Sequence, residues 1–293
     1  MKPRVLALIA VVFWSTAASA FKITLRWLTP YQLVLLATAV STAALWTMIL
    51  LRKDRCIESD PSGHAYTKSA VRGLLNPFLY YLVLLEAYNG LPAQIAMVIN
   101  YLWPVVLMIL SVPLLGQRIT RKMAFASGIS FCGVGVLAFG GNPVGGHLPL
   151  FTIGLALIST VIWALFWILN VRASGDAVRN LAESFFFGLL YLVVYGVISG
   201  KLTSLCSLDI RGVIGSVYIG LFEMGITFVI WQKALKLSET TSEVGNLIYL
   251  TPFIALVFIG SFVGEKIGLW TITGLLLVIG GIVLQDLGKR KYQ

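Results

Sequence analysis

The chain has 293 residues, of which 58% are apolar and only 12% are charged. Soluble domains carry about 25% charged residues, so this composition excludes an ordinary soluble globular protein and is typical of an integral membrane protein embedded in a lipid bilayer. The net charge of +10 suits a nucleic-acid partner only where basic residues share one face of a soluble domain; here they lie between long apolar runs, so we expect no nucleic-acid partner.

The first apolar run imitates a secretory signal, because Lys2 and Arg4 precede it and residues 18–20 read Ala-Ser-Ala. Since the chain retains this run, we expect a first membrane span rather than a cleaved leader. Ten apolar segments come close to the length of about 20 residues that a helix needs to cross a bilayer. In chain order these predicted spans are 4–22, 30–51, 69–89, 92–115, 122–140, 149–171, 179–200, 209–233, 242–263 and 268–287.

The basic residues predict how these spans are oriented. With the N-terminus in the cytoplasm, 17 of the 22 Lys and Arg residues fall in cytoplasmic segments and 5 fall in outer ones. Short cytoplasmic loops retain Lys and Arg. We therefore predict an all-α membrane protein of ten transmembrane helices, with both termini in the cytoplasm.

The fourth and ninth predicted spans share a motif 148 residues apart. Residues 100–104 read Asn-Tyr-Leu-Trp-Pro before Gly116, and residues 248–252 read Ile-Tyr-Leu-Thr-Pro before Gly264. Five spans per copy is an odd number, so the second copy must enter the membrane from the opposite side. We predict two inverted five-helix repeats around a central cavity, 1–141 and 142–293, as in many secondary transporters. A duplicated channel, scramblase or membrane enzyme stays open as an alternative.

With these motifs, the chain resembles the ten-span drug/metabolite transporter superfamily, specifically a pair of EamA repeats. Residues 13–16, which read Phe-Trp-Ser-Thr, together with 100–104 and Gly116-Gln117, resemble the YddG-type bacterial aromatic amino acid exporters. The resemblance implies a multi-pass exporter of the bacterial inner membrane for aromatic and other hydrophobic amino acids, with cationic toxicants as a further class. Transport of nucleotide sugars or drugs, and lipid scrambling, stay open as alternatives.

Two prolines are candidate gating hinges, since Pro104 and Pro252 fall near the middle of their predicted spans. A proline inside a helix lacks the N–H that the carbonyl four residues earlier would accept, and it kinks the helix. A carbonyl freed in this way, at Asn100 or Ile248, could hold a substrate ammonium. A static kink with no gating role is the alternative.

Polar and aromatic side chains on the predicted spans are candidate substrate-binding residues. On the fourth span, i, i+3, i+4, i+7 spacing places Met97, Asn100, Tyr101 and Pro104 on one helical face. The ninth span offers a similar face with Asn246, Tyr249, Pro252 and Phe253. Each Asn could equally bind a neighbouring helix. A second group consists of aromatic residues that lie deep in their spans, and it predicts either the wall of a cavity or plain packing: Trp14, Phe78, Tyr81, Trp103, Trp163 and Trp167.

Glu223 is the only acidic residue near the centre of a predicted span. Ionisable residues inside a membrane are costly and are candidates for function. We expect Glu223 to bind a substrate ammonium or to take up a proton, with a structural role as the alternative.

Other chemistry finds little support in the sequence. The chain has no phosphate-binding Gly-rich loop and no His-Glu-x-x-His pair, and its two histidines, His64 and His147, are far apart, as are its three cysteines. We therefore expect no enzyme activity, no cofactor and no metal. The sequence predicts a facilitator or weakly coupled transporter that works by alternating access and functions as a monomer.

Overall fold

The computed structural model describes residues 2–52, 65–116, 120–140, 149–238 and 246–289, and all regular structure in these ranges is helical. The first part contains α1 (Pro3–Thr24), α2 (Pro30–Leu50), α3 (Ala65–Gly73), α4 (Tyr80–Gly90), α5 (Ala93–Asn100), α6 (Trp103–Leu115) and α7 (Arg121–Gly140). The second contains α8 (Leu150–Val171), α9 (Ala177–Ile198), α10 (Ile210–Tyr218), α11 (Ile226–Leu237), α12 (Thr251–Phe258) and α13 (Leu269–Lys289). Short π-helical turns (Leu74–Leu79, Ile219–Glu223, Ile259–Val263) and 3₁₀ turns (Lys201–Ser207, Asn246–Leu250) join some of them.

Six helical stretches of the described residues are long and apolar enough to cross a bilayer. They are Pro3–Thr24, Pro30–Leu50, Ala93–Leu115, Leu150–Asn170, Ala177–Ile198 and Ile210–Leu237, and Leu247–Val263 and Leu269–Leu284 are shorter apolar helices. The predicted all-helical membrane class is therefore confirmed. The count of ten spans and the cytoplasmic position of both termini stay predictions.

Local sequence explains where several helices begin. At α2, Gln32 N–H donates to Thr29 Oγ1 at 3.3 Å and Thr29 N–H donates to Gln32 Oε1 at 2.8 Å, which forms a capping box. Pro30 follows at the first position, where the N–H that proline lacks is not needed. At α9, the Asp176 carboxylate accepts the Arg179 N–H at 2.8 Å. These caps satisfy backbone donors that the helix itself leaves free.

The two candidate hinge prolines begin new helices. Pro104 lies in the first turn of α6, after α5 has ended at Asn100, and Pro252 lies in the first turn of α12. This differs from the continuous kinked helices that the sequence predicts. The physical reason is that a proline costs little in a first turn and about 3 kcal/mol in a helix interior, so the chain breaks before each proline.

The helices of the first part contact those of the second part in the same way as the helices of the second part contact those of the first. Helix α1 packs on α11 and α12, while α8 packs on α4 and α6; α2 pairs with α9, and α7 pairs with α13. Glycines permit the closest approaches: a Cβ on Gly73 would lie 2.3 Å from the Ser184 carbonyl oxygen, and one on Gly220 would lie 2.5 Å from that of Ala37. Gly220 lies 147 positions after Gly73, and Ser184 lies 147 positions after Ala37, so the two contacts correspond to each other.

The contact between α7 and α13 offers a test of this close packing. A Cβ on Gly281 would lie 2.5 Å from the Ala126 carbonyl oxygen and 2.2 Å from Ser130 Oγ. Gly281→Ala is therefore expected to destabilise the protein by about 1–3 kcal/mol, the usual cost of overpacking. A Cβ on the adjacent Gly280 meets nothing within 4 Å, so Gly280→Ala is the matched control and is expected to be neutral or stabilising. Thermal unfolding in detergent measures both, and equal melting temperatures would contradict the packing.

Candidate functional site

Glu223 lies where a helix is interrupted. It ends the π-helical turn Ile219–Glu223, and Gly225, with φ −114° and ψ −91°, leaves helical geometry before α11 begins. The Tyr81 hydroxyl donates to Glu223 Oε1 at 3.4 Å, and Trp14 Nε1 donates to the Glu223 carbonyl at 3.3 Å. The interruption thus holds the carboxyl group between α1, α4 and α11.

One oxygen of this carboxyl group has no partner. Glu223 Oε2 is buried and accepts no hydrogen bond from any described residue. Buried polar atoms without partners are rare in proteins, because desolvation of such an atom is not compensated. The site therefore has an unused acceptor that a bound cation, ammonium group or proton would satisfy.

Other interrupted helices end beside Glu223. Tyr80 and Tyr81 directly follow the π-helical turn Leu74–Leu79, and the Tyr80 hydroxyl donates to Asn100 Oδ1, at the end of α5, at 3.2 Å. The Tyr101 hydroxyl faces the side chain of Thr251, where α12 begins. Four interruptions, in the third, fourth, eighth and ninth predicted spans, therefore meet at one level of the bundle.

Asn100 connects neighbouring helices. Besides accepting the Tyr80 hydroxyl, it donates from Nδ2 to Ser159 Oγ on α8 at 3.0 Å. This is the interhelical use that the sequence left open as an alternative. Asn100 therefore positions Tyr80, the neighbour of the residue that binds Glu223.

Aromatic rings surround this level in a continuous cluster. The Trp163 ring stacks on Tyr80 with centroids 4.4 Å apart and lies 6.1 Å from Phe228 and from Trp167. The Trp14 ring lies 5.4 Å from Phe228. We call these rings, with Tyr81, Trp103 and Trp231, the aromatic cluster. Trp103 joins it by stacking on Trp167 at 6.1 Å, and Trp231 joins it by contacting Trp14 at 5.4 Å.

The aromatic cluster also contains an unused donor. Trp167 Nε1 is buried, and it has no hydrogen-bond partner among the residues that the structure describes. An indole nitrogen can only donate a hydrogen bond. The site therefore offers a free acceptor at Glu223 and a free donor at Trp167.

The predicted site residues divide into two groups. Five of the six predicted aromatics, Trp14, Tyr81, Trp103, Trp163 and Trp167, lie in the aromatic cluster with Glu223. Phe78 does not: it packs on Tyr191 and Tyr195 of α9, with centroids 5.9 and 6.0 Å apart. Tyr249 lies in the 3₁₀ turn Asn246–Leu250, where it packs against the large cluster of buried apolar residues of the bundle. Asn246 begins that turn, and its side chain lies outside the described part of the chain.

Sequence reasoning missed Tyr80, Phe228 and Trp231. The last two follow Gly225 at positions three residues apart, which places them on one face of α11. That spacing was a usable signal. Tyr80 gave no signal of its own, because its role follows from the break in the helix just before it.

Metal chemistry finds no support in the described residues. They contain no group of three His, Cys, Asp or Glu side chains close enough to hold a metal ion. His64 and His147 lie outside the described residues. Cys132 and Cys206 are free and exposed.

Comparison with known proteins decides the family. The EamA-like transporter family matches the chain twice, over residues 1–139 and 150–285. The chain belongs to this family. The resemblance to EamA repeats that the sequence predicts is therefore confirmed, and this EamA-like protein is a multi-pass membrane transporter.

Several relatives of this EamA-like chain have curated names. It is 26% identical to the uncharacterized transporter YvbV of Bacillus subtilis over 73% of this chain and 70% of that one. An uncharacterized transporter of Archaeoglobus fulgidus is 23% identical over 97% of this chain and 98% of that one. A probable terminal-alkyne amino-acid exporter of Streptantibioticus cattleyicolor is 27% identical over 68% of this chain and 67% of that one. A solved crystal structure shares the fold, with a TM-score of 0.63, 19% identity and full coverage of both chains.

Phe78 provides a negative prediction for this EamA-like site. Because its ring packs on α9 away from the aromatic cluster, Phe78→Leu is expected to leave the affinity for a transported substrate within about twofold of the wild-type value, since it removes no contact to the site. Competition of unlabelled against labelled substrate measures this affinity. A change of tenfold or more would place Phe78 in the wall of the site.

Proposed function

We propose that this transporter exports amino acids with aromatic or other large hydrophobic side chains across the bacterial inner membrane by alternating access. The observation that carries the proposal is the unpartnered, buried Oε2 of Glu223 inside a cluster of aromatic rings. A carboxylate is a natural partner for an ammonium group, and aromatic faces attract both cations and apolar side chains. The curated name of the Streptantibioticus relative supports an amino-acid substrate.

The site can recognise both ends of an amino acid. In the proposed binding mode, Glu223 Oε2 accepts from the substrate ammonium, and Trp167 Nε1 donates to the substrate carboxylate. The apolar side chain then lies against Trp163 and Trp14. A nucleotide sugar would instead need cationic groups for its phosphates, and none of the residues in this described cluster is cationic.

Two inverted five-helix repeats, 1–141 and 142–293, are the architecture that we propose for this transport. The exchanged contacts support it: a Cβ on Gly133 would lie 2.7 Å from the Gly274 carbonyl oxygen, as one on Gly281 lies near that of Ala126. Gly281 lies 148 positions after Gly133, and Gly274 lies 148 positions after Ala126. In such folds the substrate binds between the repeats, which rock around it.

Ten spans, cytoplasmic termini and function as a monomer belong to the same proposal. Glu223 is the one carboxyl group of the described site, so we propose a facilitator or a transporter weakly coupled to protons. A single carboxylate can exchange a proton for a substrate ammonium, but the described part of the site holds no second acid that could keep the proton while the substrate binds.

Uptake into proteoliposomes tests this function. Purified protein should give saturable uptake of labelled phenylalanine that leucine and tryptophan inhibit and that glutamate and a nucleotide sugar do not. The same vesicles should show no protein-dependent scrambling of a fluorescent phospholipid. Absence of uptake for every amino acid would refute the proposal, and scrambling without uptake would favour the lipid alternative.

A further inference from the structure

One end of the helix bundle is held by charged side chains that bind helix ends. Helix α5 begins at Ala93, and the preceding N-cap residue, Pro92, provides no side-chain cap. Its first two free N–H groups, of Ala93 and Gln94, instead donate to the two carboxylate oxygens of Glu265, at 2.7 and 3.2 Å. Glu265 lies 172 residues further along the chain. A carboxylate at a helix N-terminus is stabilised by the free N–H groups and by the helix dipole.

The neighbouring helix end receives the opposite charge. Lys22, in the last turn of α1, donates from Nζ to the carbonyls of Tyr88 and Leu91, at 2.8 and 2.6 Å, where α4 ends. A cation at a helix C-terminus is favourable for the same electrostatic reason. Lys22 and Glu265 therefore hold the corner between α4 and α5 from two sides, and we call these contacts the latch.

Further contacts tie the latch to the rest of the bundle. Gln94 is fully buried, donates to the Lys266 carbonyl at 3.1 Å and accepts from Thr271 Oγ1 at 2.6 Å. Arg26 donates to the Val263 carbonyl at 3.0 Å. The latch thus joins α1, the corner of α4 and α5, and the segment between α12 and α13.

The latch lies at the end of the helices that carry the site. Trp14 and Lys22 are eight residues apart on α1, which is about 12 Å along a helix. Asn100 and Ala93 are seven residues apart on α5, about 10 Å in the same direction of the bundle. A cavity of about 480 Å³, lined by Lys22, Gln94 and Glu265 among others, adjoins the latch.

We propose that the latch is the gate of this transporter at one end, on the side where α4 meets α5. The inference rests on the proposed alternating access. Because the bonds of Ala93 and Gln94 to Glu265 and Lys266 join the two repeats beyond the site, they must break before a substrate can leave the site at this end. The charged groups line the adjoining cavity, in which water can replace the helix ends as their partners. The positive-inside pattern places this end on the outer face.

Thiol labelling from each face of the membrane tests the gate without any substrate. The reporter is Thr251→Cys, beside Tyr101, in a chain whose Cys56, Cys132 and Cys206 are serines. Glu265→Gln removes the negative charge of the latch. It is expected to raise the labelling rate from the latch face about tenfold, because the loss of one charge-assisted hydrogen bond changes an equilibrium by about that factor. Labelling from the opposite face should fall or stay unchanged, since only one end is open at a time.

Lys266→Gln is the matched control. Lys266 is the neighbour of Glu265, its own side chain is exposed, and only its backbone carbonyl takes part in the latch. It should label at the wild-type rate. Equal rates for Glu265→Gln and the wild type would overturn the gate, and so would an equal rise from both faces, which indicates unfolding. If the labelling shifts as expected but no amino acid is transported, the gate stands and the proposed function fails.

Discussion

Glu223→Gln is expected to lower the affinity for hydrophobic amino acids by about 100-fold, which corresponds to about 2.7 kcal/mol. Glutamine has nearly the shape of glutamate and retains an oxygen for the Tyr81 hydroxyl, which lies 3.4 Å from Oε1. It lacks the charge that the proposed binding mode places against the substrate ammonium. Concentration dependence of phenylalanine uptake into proteoliposomes, with and without a pH gradient, measures the effect.

Glu86→Gln is the control for this variant. Glu86 lies on α4 like Tyr81, but its side chain is exposed, so its substitution removes the same charge away from the site. Uptake by Glu86→Gln should match the wild type. If Glu223→Gln also transports phenylalanine with wild-type affinity, Glu223 is a structural residue and the ammonium site lies elsewhere.

Trp163→Ala is expected to weaken binding of large apolar amino acids more than that of small ones. The Trp163 ring is 8% exposed, stacks on Tyr80 at 4.4 Å and connects α8 with α11 through Phe228. Removing it takes away the proposed wall of the site, and about 1–3 kcal/mol of discrimination, or 10-fold or more for phenylalanine over alanine, should be lost. Competition by the two amino acids against labelled leucine gives this ratio.

Loss of a buried tryptophan also destabilises a core by about 3–5 kcal/mol, so two further variants accompany it. Trp163→Phe keeps an aromatic ring and should retain most of the discrimination. Trp270→Ala removes a tryptophan that is 54% exposed and should leave both stability and discrimination unchanged. An unchanged ratio in a folded Trp163→Ala protein would remove this ring from the substrate wall.

Hydropathy and short motifs predicted the helical membrane class and the family. Apolar runs mark helices wherever lipid is the solvent, because each backbone group must be satisfied within its own helix. The recurrence of Tyr-Leu-x-Pro predicted related kinks in two spans, and the structure instead begins a new helix at each motif, with Pro104 and Pro252 in equivalent first turns. The helical membrane class was therefore readable from local sequence alone.

The neighbours of each side chain were not readable in the same way. The position of Phe78 in its span resembles that of Tyr81, yet it faces α9 whereas Tyr81 faces Glu223. Just before Tyr80 the helix is interrupted at Asn76, which has φ −144° and ψ 121°, and hydropathy does not record such a break. The contact of Glu265 with Ala93 joins a loop to the N-terminus of a helix 172 residues away in the chain, so no local pattern could predict it.

The interruptions around Glu223 also affect the mechanical properties of the bundle. Bending a continuous helix within lipid breaks backbone hydrogen bonds, and each unsatisfied group costs several kcal/mol. In this chain the spans that contain Asn100, Glu223 and Thr251 are already divided into shorter rigid rods at one level. The rods can tilt about these joints without loss of their internal hydrogen bonds. The parts of each divided span can therefore tilt relative to one another, and the stiffness that opposes this tilt is located in side-chain contacts, where single substitutions can adjust it.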